Sequence, residues 1–298
     1  MKQPKFLAAV SAATFAFALA GAPPASAEEA VVLEPSSPWQ LDMAENKCRL
    51  VRLYGPEENR HLVFFEQWDP SAYAAWAVAG PAFKKFRDNR EAEFLFGSGG
   101  DGKEFSFVDR TLGDFGPLIQ GSTSVAKLAE TEEEEEEASG FRKLDAAGAR
   151  LVDRLVISQL RKTVTFELGS MEAPLDAMNM CMEDLVKSWG FDPEVQKTIT
   201  KRPKFENMKE VATLVQRHYP ADALRKGAQA DFHLRLTIDA QGGIEDCRLL
   251  NQTLADDFDM RRHPCTVFKK HAKVAPALDS EGQPVRTYYA TRIVYRMG

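Results

Sequence analysis

An unbroken alternation of apolar and polar side chains near the C-terminus is the feature that most constrains the fold. Every second residue from Phe232 to Ile238 is apolar, and the residues between them are His233, Arg235 and Thr237. A period of two is typical of a strand that buries one face and leaves the other in water. The stretch therefore predicts a half-buried strand.

A hairpin, a helix and a last strand follow this strand. Asp239–Gly243 ends in two glycines, which a tight turn needs for positive φ, and Ile244–Leu250 is predicted to return as a second strand. Pro264 is predicted as the first residue of a helix, because proline is tolerated at that position. Tyr288–Met297 is rich in Tyr, Thr, Ile and Val, and it is predicted as the last strand.

The order of these pieces resembles the C-terminal domain of the TonB family. The segments that carry the resemblance are YPADALRKG (219–227), LTIDAQGG (236–243), IEDCRLL (244–250), VAPALD (274–279) and TYYATRIVYRM (287–297). The region that they span is about a quarter of the chain, and their order and spacing are more specific than any one of them. Asn251–Thr253 stands where the family commonly has Ser-Ser-Gly. The resemblance implies an antiparallel sheet of about three strands packed on helices.

The same resemblance implies a binding module rather than an enzyme. In the TonB family the last strand lies at a sheet edge and takes up a short peptide of an outer-membrane receptor by β-augmentation. One face of the last strand should pack on the helix that holds Phe268. The other face meets solvent or a partner, and it carries the predicted partner-binding residues Tyr288, Ala290, Arg292, Val294 and Arg296. The two arginines suit an acidic or polar peptide from an envelope or outer-membrane protein.

Two alternatives to peptide binding stay open. The last strand can pair with its counterpart in a second copy, which gives a homodimer. The chain can also be an envelope structural or stress protein in which the tail domain is only structural. A hydrolase with an unrecognised site in the N-terminal domain is the least favoured class.

Closely spaced short strands predict a β-rich N-terminal domain over residues 28–190. The predicted strands are Cys48–Gly55, His61–Trp68, Tyr73–Val78, Ala92–Phe96, Glu104–Val108 and Thr163–Leu168. Apolar residues three and four apart predict a helix over Ala173–Trp189, and Gly190 is placed to end it. With the TonB-like domain at 218–298, the chain is predicted to be of the α+β class.

Three further segments are predicted to be a lead-in, a linker or a loop. Residues 28–38 are expected to form a flexible lead-in, and residues 191–217 a helical linker. Thr131–Glu137 contains six consecutive glutamates and predicts a solvated, self-repelling loop. A weak calcium site is the alternative for that loop, but calcium needs spaced oxygens and turn glycines.

A second resemblance concerns the N-terminal domain. CRLVRLYG (48–55) and CMEDLVKSWGFD (181–192) are similar to segments of periplasmic proteins from alphaproteobacteria that often carry a TonB-like tail. The resemblance therefore implies a domain organisation without implying a reaction.

Residues 1–27 have the pattern of a secretory signal peptide. Lys2 and Lys5 precede an apolar run over 6–20, and Ala25–Ala27 forms an A-x-A cleavage site. Cleavage after Ala27 is expected, which places the mature chain in the periplasm. The alternative is an uncleaved membrane anchor, as energy transducers of the TonB family have. No long Pro-rich spacer follows it, which argues against such a transducer.

Four cysteines in a chain with a secretion signal predict disulfide bonds. Four cysteines allow three pairings. Cys247 lies on a predicted strand and Cys265 on the helix expected to pack on it, so these two are predicted to pair. Cys48 and Cys181 then join the first strand of the N-terminal domain to its last helix. Buried free thiols are the alternative.

No motif in the chain carries recognisable catalytic or metal chemistry. The five histidines have no metal-ligand spacing, and no phosphate loop or G-x-S-x-G nucleophile motif occurs. The formal net charge is −6 and no basic run is present, which argues against a nucleic-acid partner. The analysis predicts no catalytic residues, no metal and no cofactor.

Overall fold

The computed structural model describes residues 29–99, 101–126, 141–217, 225, 230–250 and 264–295. The signal segment 1–27, the acidic run 131–137, the segment 219–224 and Arg296 lie outside the described residues.

Two β-sheets build the N-terminal domain. Its strands, in chain order, are β1 (Glu29–Leu33), β2 (Gln40–Ala44), β3 (Lys47–Tyr54), β4 (His61–Gln67), β5 (Ala74–Ala79), β6 (Ala92–Phe96), β7 (Lys103–Phe105), β8 (Arg110–Leu112), β9 (Gly116–Thr123), β10 (Arg154–Gln159) and β11 (Lys162–Glu167). One sheet has five strands in the order β1-β11-β10-β6-β7, and the other has six in the order β2-β3-β4-β5-β9-β8. Neighbouring strands are antiparallel except β1 and β11, which are parallel.

The core of this domain lies between the two sheets. Phe65 and Trp76 come from the six-stranded sheet, Ile157 and Phe166 from the five-stranded one, and all four side chains are fully buried in one cluster. In strand β10, half-buried and buried residues alternate, so every second side chain of the strand points into this core. Two sheets that bury their inner faces against each other form a β-sandwich.

Helix α1 (Glu172–Ser188) closes the side of the sandwich. Its buried residues are three and four apart and include Leu175, Met178, Met182 and Leu185, which belong to the same core cluster. The helix ends at Ser188, and Gly190 follows it with a positive φ of 82°, a conformation that glycine adopts without strain. Short 3₁₀ helices occur at Glu57–Asn59, Pro81–Lys85, Gly113–Phe115 and Gly148–Leu151.

A smaller α+β unit follows the sandwich. Its elements, in chain order, are α2 (Pro193–Lys197), β12 (Ile199–Lys201), β13 (Lys204–Phe205), α3 (Met208–Arg217), β14 (Ala230–Ile238), β15 (Ile244–Leu249), α4 (Pro264–His271), β16 (Val274–Ala275), β17 (Ala277–Asp279), β18 (Pro284–Val285) and β19 (Thr287–Tyr295). The main sheet is antiparallel in the order β15-β14-β19. Two small sheets, β12-β17-β18 and β13-β16, flank it. The predicted α+β class is confirmed.

The apolar side of β14 packs on the two longer helices of this unit. Phe232 and Leu236 are buried in one cluster with Val211 of α3 and with Val267 and Phe268 of α4. Helix α4 begins at Pro264, as the sequence predicts. We call this side of the main sheet the helix face, and the opposite side the domain face.

Two disulfide bonds tie helices to strands. Cys48 of β3 is bonded to Cys181 of α1, and Cys247 of β15 is bonded to Cys265 of α4. Both bonds join the residues that the sequence analysis pairs, and free cysteines are absent.

The segments expected to be linkers have regular structure. Residues 29–33 form β1, which pairs with β11, so the expected flexible lead-in is wrong for this stretch. In the expected linker 191–217, β12 pairs with β17, β13 pairs with β16, and α3 fills the helix face. That segment is therefore part of the C-terminal unit, because its apolar side chains are needed to complete a small core.

Gly121 allows a close approach between β9 and β5. A Cβ atom at this position would overlap the indole ring of Trp76, which is enclosed by Phe94, Phe96 and Phe105. We expect Gly121→Ala to lower the free energy of unfolding by roughly 1–3 kcal/mol through overpacking. Gly99→Ala is the matched control, since nothing lies within 4 Å of a Cβ atom there. Urea denaturation measures both variants, and equal stabilities would contradict the prediction.

Candidate functional site

Strand β19 lies at one edge of the main C-terminal sheet. It pairs with β14 over its whole length, from Thr287 opposite Ile238 to Tyr295 opposite Ala230. Among the described residues, no strand pairs with its outer side. An edge strand of nine residues offers a row of main-chain groups to another extended segment.

The register shows which main-chain groups point outward. The N–H of Leu250 donates to the carbonyl of His233 at 2.8 Å, so His233 directs its main-chain groups toward β15. Its neighbour Leu234 then directs its groups toward β19, where it lies opposite Thr291. The N–H and C=O of Thr291 therefore point to β14, and those of Ala290 point away from the sheet. The same alternation directs the groups of Tyr288, Arg292 and Val294 outward.

The side chains of β19 divide between the two faces of the sheet. Tyr289 and Ile293 pack on the helix face with the Phe268 cluster, and the Tyr289 ring lies 4.7 Å from that of Phe205. Tyr288 is on the domain face and is only 7 % exposed. Its ring lies 5.3 Å from Trp189 and 5.4 Å from Phe191. The expectation that this face meets solvent or a partner is therefore wrong for Tyr288, which contacts the chain itself.

The N-terminal domain covers much of the domain face. His233 stacks on Trp68 with ring centroids 4.5 Å apart, and the guanidinium of Arg235 lies 4.2 Å above the Trp189 ring. Thr237 is buried as well. The prediction of a half-buried β14 is wrong for this reason. Arg235 and Thr237 are buried and His233 is half-buried, and aromatic rings of the N-terminal domain pack on Arg235 and His233.

A cleft of about 200 Å³ lies between the two domains beside β19. The N-terminal domain contributes Trp68, Ser71 and Tyr73 to its walls, and β19 contributes Ala290 and Arg292. Ala290 is half-buried and Arg292 is exposed, so this part of β19 stays accessible from solvent. The cleft places polar and aromatic groups of the N-terminal domain next to the edge of the C-terminal sheet.

Asp69 lies in the wall of this cleft, in the turn between β4 and β5. Burial raises the pKa of its carboxyl group to about 6, although Arg202 and Arg142 act in the opposite direction. Burial also raises the pKa of the Tyr288 hydroxyl, and the nearby Asp69 carboxylate adds to that shift. The hydroxyl of Tyr288 has no hydrogen-bond partner among the residues that the structure describes. The junction therefore disfavours negative charge near Tyr288.

The raised pKa of Asp69 predicts a pH-dependent stability. Between its usual value of 3.8 and about 6, the folded chain binds this proton more tightly than the unfolded chain. The contribution of the Asp69 carboxyl group to the free energy of unfolding therefore falls as the pH rises through that window. The wild type loses this stability as the pH rises, whereas Asp69→Asn does not. The free energy of unfolding of Asp69→Asn minus that of the wild type should therefore increase by on the order of 2 kcal/mol from pH 4 to pH 7.5. Urea denaturation at both pH values measures it, and a constant difference would contradict the assignment.

The remaining site predictions concern metals and catalysis. No cluster of three or more metal-ligating side chains occurs among the residues that the structure describes. Within the same ranges, every helix is too short or too polar to cross a bilayer. The absence of a cofactor and of catalytic residues stays a prediction.

Comparison with known proteins agrees with the fold of the C-terminal unit. Residues 215–297 match the family model described as Gram-negative bacterial TonB protein C-terminal. The resemblance seen in the sequence is confirmed, and the segment is a TonB-like C-terminal domain. Domains of this family are periplasmic, non-enzymatic modules that interact with proteins. No curated protein and no solved structure matches the chain.

Proposed function

We propose that the chain is a periplasmic interaction protein whose β19 edge takes up an extended segment of an envelope or outer-membrane protein. The observation that carries the proposal is the outer side of β19, which no described strand occupies. The family match to a protein-interaction domain supports it.

Strand addition would use the outward main-chain groups of β19. The N–H and C=O of Tyr288, Ala290 and Val294 point to that side by the register with β14. Main-chain hydrogen bonds of this kind provide affinity that does not depend on the amino-acid sequence of the peptide. The added strand would extend the sheet, and every second side chain of it would point to the domain face.

The N-terminal domain would then contribute to specificity. Ser71 and Tyr73 lie in the cleft on the domain face, next to Ala290. A side chain of the added strand that enters this cleft would meet hydroxyl groups and an aromatic ring. Arg292 adds a positive charge at the same place, which favours an acidic or polar peptide.

Titration of the full chain with peptides from outer-membrane receptors tests the proposal. We expect saturable binding of an extended acidic peptide, followed by tryptophan fluorescence or calorimetry. A peptide of the same composition with N-methylated main-chain amides is the control, because it cannot pair as a strand. We expect Arg292→Glu to keep the fold and to weaken binding. No binding of any such peptide at about millimolar concentration would contradict strand addition.

The burial of Tyr288 against the chain's own N-terminal domain favours one alternative function. In that alternative the TonB-like unit is a structural part of an envelope protein, and its domain face serves to hold the two domains together. This structural alternative predicts that removal of residues 191–298 exposes Trp189 and Trp68. It also predicts that the removal leaves peptide binding unchanged. Concentration-dependent light scattering separates both functions from a homodimer paired through β19.

A further inference from the structure

A second cleft, of about 390 Å³, lies at another part of the junction between the two domains. Its walls come from the turn between β2 and β3, from the last turn of α1, and from the domain face of the C-terminal sheet. They include Asn46, Leu185, Trp189, Arg235 and Arg248. None of its lining residues belongs to β19, so this cleft is separate from the proposed peptide edge.

Arg235 is an unusual cation in this cleft because it is buried and forms no ion pair within the part of the chain that the structure describes. The residue is only 5 % exposed, and the buried Nη1 of its guanidinium has no hydrogen-bond partner among the described residues. Its contact with the protein is the Trp189 ring below it. Burial and the neighbouring Arg248 lower its pKa to about 10. A buried charge that lacks hydrogen bonds is costly, so the site favours a ligand that supplies acceptors.

Further donors surround the guanidinium. The indole N–H of Trp189 is also buried, and none of the described residues accepts a hydrogen bond from it. Arg248 is exposed at the rim, where one of its nitrogens lies 3.0 Å from the carboxylate of Asp246. Leu185 and Met43 add apolar surface to the walls, which also contain the carboxylates of Glu45 and Asp184. The arrangement joins positively charged donors to an apolar and aromatic surface.

We propose that this cleft binds a small organic oxyanion, with its carboxylate or phosphate group between Arg235 and Arg248 and its apolar part against Trp189 and Leu185. Planar guanidinium groups bind such oxyanions through paired, charge-assisted hydrogen bonds. The ligand would contact both domains at once, because Trp189 belongs to the N-terminal domain and Arg235 to β14.

Acidic groups at the rim determine how strongly the site attracts an anion. Asp184 is paired with Lys187 at 3.1 Å, and Asp246 is paired with Arg248 and Lys269. Glu45 is exposed in the wall of the cleft and raises the pKa of Arg235 through its charge. Glu45 therefore opposes anion binding, and its neutralisation should strengthen it.

The test uses the full chain in a buffer of low ionic strength and two oxyanion probes. Inorganic phosphate and N-acetylleucine are titrated by calorimetry and by thermal unfolding, with N-acetylleucinamide as the uncharged control. We expect saturable binding of at least one oxyanion and no binding of the amide. The phosphate and carboxylate titrations identify which oxyanion the site prefers. A bound ligand also raises the unfolding temperature in proportion to its occupancy.

Variants locate the binding to the cleft. Arg235→Met keeps the length and packing of the side chain, and Arg248→Gln changes an exposed residue, so both are expected to fold. Each should weaken binding at least about tenfold, because each removes a charged donor pair. Glu45→Gln should strengthen binding, and exposed Arg60→Gln, which lies outside the cleft, should leave it unchanged.

Several outcomes would overturn the proposal. These are the absence of a saturable response to either oxyanion at about 50 mM, equal responses to N-acetylleucine and its amide, or unchanged binding in Arg248→Gln. If Arg235→Met fails to fold, as judged by near-ultraviolet circular dichroism, the Arg248 and Glu45 variants decide the result.

Discussion

Loss of the Cys48–Cys181 bond is expected to lower the free energy of unfolding of the N-terminal domain by about 5 kcal/mol. The bond closes a loop of 133 residues, and a cross-link over such a distance strongly restricts the unfolded chain. The variant is Cys48→Ala with Cys181→Ala, because alanine places no hydroxyl group in the buried site. A loss of this size is comparable to the whole stability of many domains.

Tryptophan fluorescence during urea denaturation measures this loss. All four tryptophans of the chain, Trp39, Trp68, Trp76 and Trp189, precede the C-terminal unit, so the signal reports mainly on the sandwich. Cys247→Ala with Cys265→Ala is the control, because that loop spans 18 residues and its bond should contribute about 3 kcal/mol, within the other domain. A sandwich that is equally stable without Cys48–Cys181 would show that α1 is held by packing alone.

Replacement of Ala290 by proline is expected to weaken peptide capture at the β19 edge strongly while the fold remains. The N–H of Ala290 points away from β14, so proline removes a donor that the sheet itself does not use. Proline is tolerated in edge strands for this reason. The affinity for the receptor peptide should fall at least about tenfold, since a main-chain hydrogen bond is lost and the ring obstructs pairing.

Ile293→Pro is the contrasting variant. Its N–H points to β14 opposite Phe232, so proline there removes a hydrogen bond of the sheet and should destabilise the C-terminal unit by roughly 3 kcal/mol. Ala290→Val controls for side-chain bulk, because valine keeps the N–H. Far-ultraviolet circular dichroism follows folding, and calorimetry follows binding. Wild-type affinity in Ala290→Pro would contradict strand addition along β19.

Local patterns predicted much of the secondary structure. Ala92–Phe96 coincides with β6, and the predicted helix over Ala173–Trp189 is offset by one residue from α1. Strand β9 was not predicted because it contains Pro117, Gly116 and Gly121, which have low strand propensity. Its place in the sheet depends instead on Trp76, which fills the space that the missing side chain of Gly121 leaves.

The candidate site was predicted only in part. The sequence placed the last strand and the residues on each of its faces, because alternation is a property of the strand alone. It did not predict that Tyr288 is buried by Trp189 and Phe191, or that Asp69 lies beside it. These contacts join residues that are far apart in the chain, and the periodicity of a sequence does not predict such contacts.

By itself, the sequence determined many of the elements, the apolar face of β14 and the pairing of the cysteines with the helices and strands that carry them. Only the tertiary structure decided what the polar face meets. Arg235 and His233 alternate with apolar residues as in a solvent-exposed face, yet Trp189 and Trp68 cover them. The physical reason is that alternation reports how a strand divides its side chains between two sides. Burial of each side depends on which distant surface packs against it.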